Sequence, residues 1–186
     1  MDNRKLQQSI RLLLEAVGED PRREGLKETP RRVAEFYADA LCGYGTDPLD
    51  LLTVHYAEED HEEIVLIKDI QVHSLCEHHL LPFFGKIHVA YIPKKDRLLG
   101  MSALVRVVEL FSHRLQLQER MTKQIADGIM KTAKPHGAMV VMECEHLCMS
   151  MRGVRKPGAT MITSAIRGTF MKDARTRAEA LALIRK

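Results

Sequence analysis

Cys76-Glu77-His78-His79 puts a thiol and two imidazoles within four residues, and His146-Leu147-Cys148 puts a further imidazole and thiol two apart. Thiolate sulfur and imidazole nitrogen are ligands of tetrahedral zinc, and catalytic zinc sites use three protein ligands while the fourth position takes water. A C-x-x-H pair with one distant cysteine supplies that count. Spacing alone leaves two choices open. His78 can replace His79, and Cys144 shares a predicted strand face with His146 and Cys148. Once three ligands are assigned, two histidines remain beside the metal, more than a closed structural site uses, and imidazole exchanges protons near neutral pH. Nitrogen and sulfur ligands favour zinc over harder divalent ions. The same ligands would also serve a non-catalytic, zinc-stabilised binding protein, which chelation would unfold.

These residues need elements to hold them. The chain has 186 residues, 45% hydrophobic and 28% charged, a balance that suits one domain with an appended helical arm and leaves little room for disorder. Its 28 basic and 25 acidic residues interleave to a net charge of +3, which is no nucleic-acid footprint. Four cysteines are too few for a disulfide scaffold. The longest apolar stretches, such as Ala138 to Met142, fall far short of a membrane span, and the first residues carry charges at helical intervals rather than a signal sequence. A cytoplasmic protein is expected.

Apolar residues at spacings of three and four predict a helix over Asp2 to Val17, ended by Gly18. A second helix is predicted from an N-cap at Thr29 with Pro30 in its first turn to about Leu41. A polar stretch, Glu58 to Glu63, leads to strands at Ile64 to Val72 and Gly85 to Pro93, so that Ser74 to Phe84, with the first ligand cluster, reads as a loop. Helices over Ser102 to Gln116 and Gln118 to about Lys134 follow. Strands over Ala138 to Cys148 and Thr160 to Phe170 come next, and a helix over Asp173 to Lys186 ends the chain. The order predicts an α+β fold with a four-stranded antiparallel sheet. Its two parts are a helical region over 1–57 and a catalytic domain over 58–186, one continuous unit.

The chain resembles the GTP cyclohydrolase I family, zinc enzymes that open pterin and folate synthesis. The resemblance runs through Gly18-Glu19-Asp20-Pro21, Thr29-Pro30-Arg31-Arg32-Val33-Ala34, Cys76-Glu77-His78-His79, Gly85-Lys86 to Pro93, Gln116-Leu117-Gln118-Glu119-Arg120 and His146-Leu147-Cys148 to Arg152-Gly153. It implies one Zn2+ per subunit on Cys76, His79 and Cys148, with His78 and His146 as the free catalytic imidazoles. The implied reaction is hydrolytic opening of the guanine five-membered ring of GTP at carbon 8. Formate leaves, and an Amadori rearrangement with reclosure gives dihydroneopterin triphosphate. Glu119 then matches the guanine-anchoring carboxylate, with Gln118 beside it. A carboxylate can accept two parallel hydrogen bonds from the ring N–H and the exocyclic amine.

For the triphosphate the resemblance implies Ser102, Arg106 and Arg152, with Arg32 arriving from a neighbouring subunit. The planar fork of arginine suits phosphate. Two positions depart from the pattern. Ala103 stands where the family usually has lysine, and Glu35 where some members are basic; Lys86 and Arg155 are candidates to compensate. The resemblance further implies the tunnelling fold, whose sheets join into barrels as a homodecamer of two pentameric rings. A relative of the same fold acting on another purine or pterin is the competing enzyme reading.

Overall fold

The computed structural model describes residues 1–56, 61–94 and 97–186. The chain divides into two compact units, Met1–Cys42 and Gly43–Lys186. The expected division at 57/58, and the first half of the polar stretch before the first predicted strand, lie outside the described residues.

The first unit is a helical hairpin. In α1 (Asn3–Ala16) the Asp2 carboxylate caps the amino end by accepting the Lys5 N–H at 3.1 Å, and Gly18, at φ +87°, turns the chain where a side chain would be strained. In α2 (Thr29–Ala40) the cap position is Glu28 rather than Thr29, and no side chain fills it. Pro30 occupies the first turn, where its missing N–H costs nothing. Pro30 and Ala34 are the buried residues of this helix, and α1 has none.

The second unit is built on a five-stranded sheet. Its long strands are β2 (Val65–Cys76), β3 (Pro82–Ile92), β6 (Gly137–His146) and β7 (Thr160–Gly168), all antiparallel to their neighbours. A two-residue strand, β5 (Leu115–Gln116), adds a parallel fifth member along the end of β2, in the order β5-β2-β3-β6-β7. A short ribbon of β1 (Val54–Tyr56) and β4 (Arg97–Leu99) stands apart. The four expected strands are therefore present, but the strand count is larger, because pairs of two or three residues carry no periodicity that a sequence can display.

Two helices lie between the strand pairs: α3 (Met101–Ser112) and α4 (Gln118–Ala133). Val107, Val108, Met121, Ile125 and Ile129 pack on Ile87, Val89, Val140 and Met142 to form the main core. The opposite sheet face carries a second cluster, in which Ala90, Ile92 and Met139 meet Phe170 of α6 (Thr169–Lys172) and Ala180 of α7 (Ala174–Arg185). No described helix is long and apolar enough to cross a membrane.

Two strand ends differ from the expectation, and both bear on the site. β2 runs on to Cys76 and β3 starts at Pro82, so the connection shrinks to residues 77–81. Ser74, Leu75 and Cys76 are buried and pair like the rest of the strand, while Pro82 takes a strand's first position, where a proline is tolerated. At the other end β6 stops at His146, and Leu147–Ser150 form a single helical turn, α5.

Candidate active site

Residues 76–81 make a tight reversal. Cys76 accepts the N–H groups of His79 at 3.3 Å and Leu80 at 2.8 Å on its carbonyl, and donates its own N–H to Leu81 at 2.9 Å. Leu80 supplies the positive φ of +55° that closes the turn. Cys148 reaches the same place from α5. Because α5 is helical, Cys148 does not share a strand face with His146, and Cys144 is not part of the group. Ligand atoms of Cys76, His79 and Cys148 all lie within 4.8 Å of one another, the only such set of three or more among the described residues. Cys144 is buried in the sheet, and burial pushes its thiol up to about 12, the behaviour of an inert core cysteine.

His78 is exposed next to the triad, its ring 6.2 Å from that of His79 and perpendicular to it. His146 is held more closely. Its ring stacks on Phe83 at 4.6 Å and 7°, and its Nε2 lies 2.8 Å from Oε1 of Gln118. Burial lowers its pKa from the ordinary imidazole value, against the field of the Glu119 carboxylate. Gln118 itself is 1% exposed, and its carboxamide bonds only to protein groups.

Glu119 follows in the first turn of α4, exposed, where a carboxylate suits the helix dipole. It lines a groove of about 380 Å³ together with Lys123, Thr163 and Arg167. The next residue, Arg120, ties α4 to the ligand turn. Its guanidinium donates to the Glu77 carboxylate, to the Leu115 carbonyl at 2.9 Å and to Oε1 of the buried Gln116 at 3.1 Å. The hydrogen bond from Arg120 lowers the Glu77 pKa.

Ser102 and Arg106 lie one turn apart on the exposed side of α3. Arg152 follows α5 and donates from its guanidinium to Nε2 of His79, at the triad itself. Arg32 is exposed on α2 in the first unit. Sequence reasoning missed Phe83, Arg120 and the carbonyl acceptors around Gln118. Their contacts join residues tens of positions apart, and no local spacing signals them.

The model of the family described as GTP cyclohydrolase I matches residues 6–185. The chain belongs to the GTP cyclohydrolase I family. It is similar to proteins named GTP cyclohydrolase 1 from Carboxydothermus hydrogenoformans, 57% identical over 99% of this chain and 95% of the relative, and from Bacillus subtilis, 53% identical over 100% and 97%. The protein of that name from Clostridioides difficile is 55% identical over 99% of this chain and 97% of its own length.

The family is zinc-dependent, and the donor set fits that ion. Two thiols and an imidazole converge, and the Cys148 thiol resists ionisation through burial and then through the neighbouring Cys76. A divalent cation reverses that logic by favouring thiolates. The two departures from the family pattern also have places. Ala103 is only 7% exposed and faces the core side of α3, and Glu35 accepts a hydrogen bond from Arg31 at 2.6 Å. Of the residues expected to compensate, Lys86 is exposed in β3 on the face opposite Phe83 and Ile87, paired with Asp69 at 3.1 Å. Arg155 stays with the site loop, its amide 3.2 Å from the Arg152 carbonyl.

Proposed function

We propose that this chain opens the guanine imidazole ring of GTP by hydrolysis, releasing formate and forming 7,8-dihydroneopterin triphosphate, the first step of tetrahydrofolate and pterin synthesis. The observation that carries the reading is the Cys76, His79 and Cys148 group, with ligand atoms within 4.8 Å, in a chain matched to the family over residues 6–185. Cys76, His79 and Cys148 would hold the zinc, whose chemistry when bound would be to activate water near neutral pH. His146 delivers a proton to the purine nitrogen that becomes basic as carbon 8 is attacked, and His78 serves the later proton transfers. Glu119 accepts the guanine N–H and amine hydrogens, which fixes the ring against the imidazoles. Ser102, Arg106 and Arg152 hold the triphosphate, joined by Arg32 of a neighbouring subunit. Gln118, expected beside the substrate, has a carboxamide already spent inside the protein.

The working form is a homodecamer of two pentameric rings in which neighbouring sheets continue one another into barrels, as the tunnelling fold does. Free cysteines among the described residues suit the reducing cytoplasm, where we place the enzyme. GTP is the partner; neither nucleic acid nor membrane enters the reading.

The test is formate release and dihydroneopterin triphosphate formation from GTP by the zinc-loaded protein, with Cys148→Ala beside it. Turnover is expected in the parent, and none above background in the variant. Chelation is expected to abolish turnover while circular dichroism and assembly persist. Unfolding on chelation with no turnover beforehand would instead establish a zinc-stabilised binding protein. Turnover of another purine or pterin, and none of GTP, would establish the competing enzyme.

A further inference from the structure

Gln118 is a buried amide whose nitrogen and oxygen ends can be told apart, although its two N–H hydrogens are shared among three acceptors. Its Nε2 lies 3.1 Å from the Met142 carbonyl, 2.9 Å from the Met161 carbonyl and 3.1 Å from Oγ1 of Thr163. Two of these are main-chain oxygens that only accept, so the nitrogen of the amide must face them. Thr122 supports the same arrangement. Its hydroxyl is 2.7 Å from the Gln118 carbonyl and 2.7 Å from Oγ1 of Thr163, so Thr122 donates to the carbonyl and Thr163 donates to Thr122. That leaves Thr163 an acceptor towards Gln118. The amide oxygen is then the atom pointing the other way, and Nε2 of His146 lies 2.8 Å from it. An amide oxygen cannot donate, so the bond requires a proton on Nε2 of His146.

We infer that Gln118 is a positioning residue that holds His146 in its Nε2–H tautomer and leaves Nδ1 as the one ring nitrogen that exchanges protons with the substrate. Phe83, stacked on the same ring at 4.6 Å and 7°, fixes the plane of the imidazole, and the bond to Gln118 decides which nitrogen faces it. A histidine is oriented in other enzymes by a carboxylate on its far nitrogen. An amide does this without adding charge, so the ring is oriented and its basicity is left to its other neighbours. With every hydrogen-bonding atom of the side chain committed inside, Gln118 reaches no ligand. The inference rests on the reading of His146 as the imidazole that faces the purine, and its test separates the two.

The first measurement is solid-state nitrogen NMR of the zinc-loaded protein labelled at histidine, recorded well above the ordinary imidazole range, with His146→Ala to assign its signals. A pyrrole-type Nε2 and pyridine-type Nδ1 for His146 are expected. The reverse pattern overturns the inference, whatever the activity. Gln118→Met, in folded and metal-loaded protein, is expected to mix the tautomers and lower kcat about tenfold or more, with KM for GTP nearly unchanged. Gln118→Glu retains an acceptor and, protonated among the carbonyls, a donor; it is expected to keep the tautomer and much of kcat. If Gln118→Met does not fold, the parent spectrum and Gln118→Glu decide. An unshifted kcat with raised KM in either variant would make Gln118 a substrate contact and overturn the inference. Full turnover by His146→Ala would instead refute the role of His146 and leave the tautomer assignment standing on the spectrum.

Discussion

His88 is an imidazole placed in the sheet at 6% exposure, with Nδ1 accepting the Asp69 N–H at 3.1 Å. The bond requires a neutral ring with its proton on Nε2. Burial lowers the pKa, helped by Lys86 and Lys68 and opposed by Asp69 and Glu143. Since the folded value lies below the ordinary 6.5, the unfolded chain binds the proton first. The stability His88 contributes is complete above about pH 6.5 and is lost as pH falls below it, at most at about 1.4 kcal/mol per pH unit. Urea midpoints measured across this range should fall more steeply towards acid in the parent than in His88→Gln. Equal slopes would mean that the ring titrates in the fold as it does in water. Residue chemistry was legible in the sequence where it was local. Cys76 and His79 stand on one turn, so their spacing announced a site, whereas the stack of Phe83 on His146 belongs to the β3–β6 register. Of His78 and His79, which the spacing left open, it is His79 whose ring nitrogen lies within 4.8 Å of the two thiols, in the turn that reverses at Leu80.

Elements were legible in kind and misjudged at their ends, and the site lies at ends. Helical and strand-like patterns marked α3, α4 and the four long strands, but the ligand segment read as loop because it stood between the strands predicted at Ile64 to Val72 and Gly85 to Pro93. The strands in fact continue to within five residues of each other, which makes the ligand turn short and stiff. Its attachment to α4 is then critical. The Glu77–Arg120 pair spans two elements, with Gln116 and the Leu115 carbonyl sharing the same guanidinium, so β5 and the start of α4 are bolted to the metal turn. As a surface ion pair it contributes little stability, because its side chains are 39% and 30% exposed. Its effect should appear at the metal instead. Arg120→Met is expected to weaken zinc affinity about tenfold, the low end for residues that orient ligands, with a melting temperature nearly unchanged. Competition with a fluorescent chelator measures this. Parent-like zinc affinity would show that the turn holds its shape unaided.

At the scale of the molecule, the chain leaves unfinished surfaces. β7 is an edge strand with no neighbour on its outer side among the described residues, and Ile162 on it is 64% exposed. In the first unit Leu13 of α1 and Val17, which caps its carboxyl end, are 56% and 67% exposed, and Phe36 of α2 is 49% exposed. An open edge and apolar helix faces ask for partners, and more copies of the chain can supply them. The sequence displayed the apolar stripe of α1 but could not show that its own unit leaves so much of it bare. If Arg32 serves the site of a neighbouring subunit, sharing has a consequence that no single-chain site can imitate. Arg32→Ala alone should lose about 10–100-fold in kcat/KM, the loss of a charge-assisted contact worth about 1.5–3 kcal/mol, and Cys148→Ala should lose all turnover. In a mixed oligomer, a subunit carrying Arg32→Ala still has its metal ligands, and its neighbour carrying Cys148→Ala still has the arginine. Together they complete one site. Co-assembled variants, with mixing verified by mass spectrometry, should therefore recover turnover well above the sum of the two separate proteins. If Arg32 acts within its own subunit, every site in the mixture lacks either the arginine or the metal, and no recovery appears.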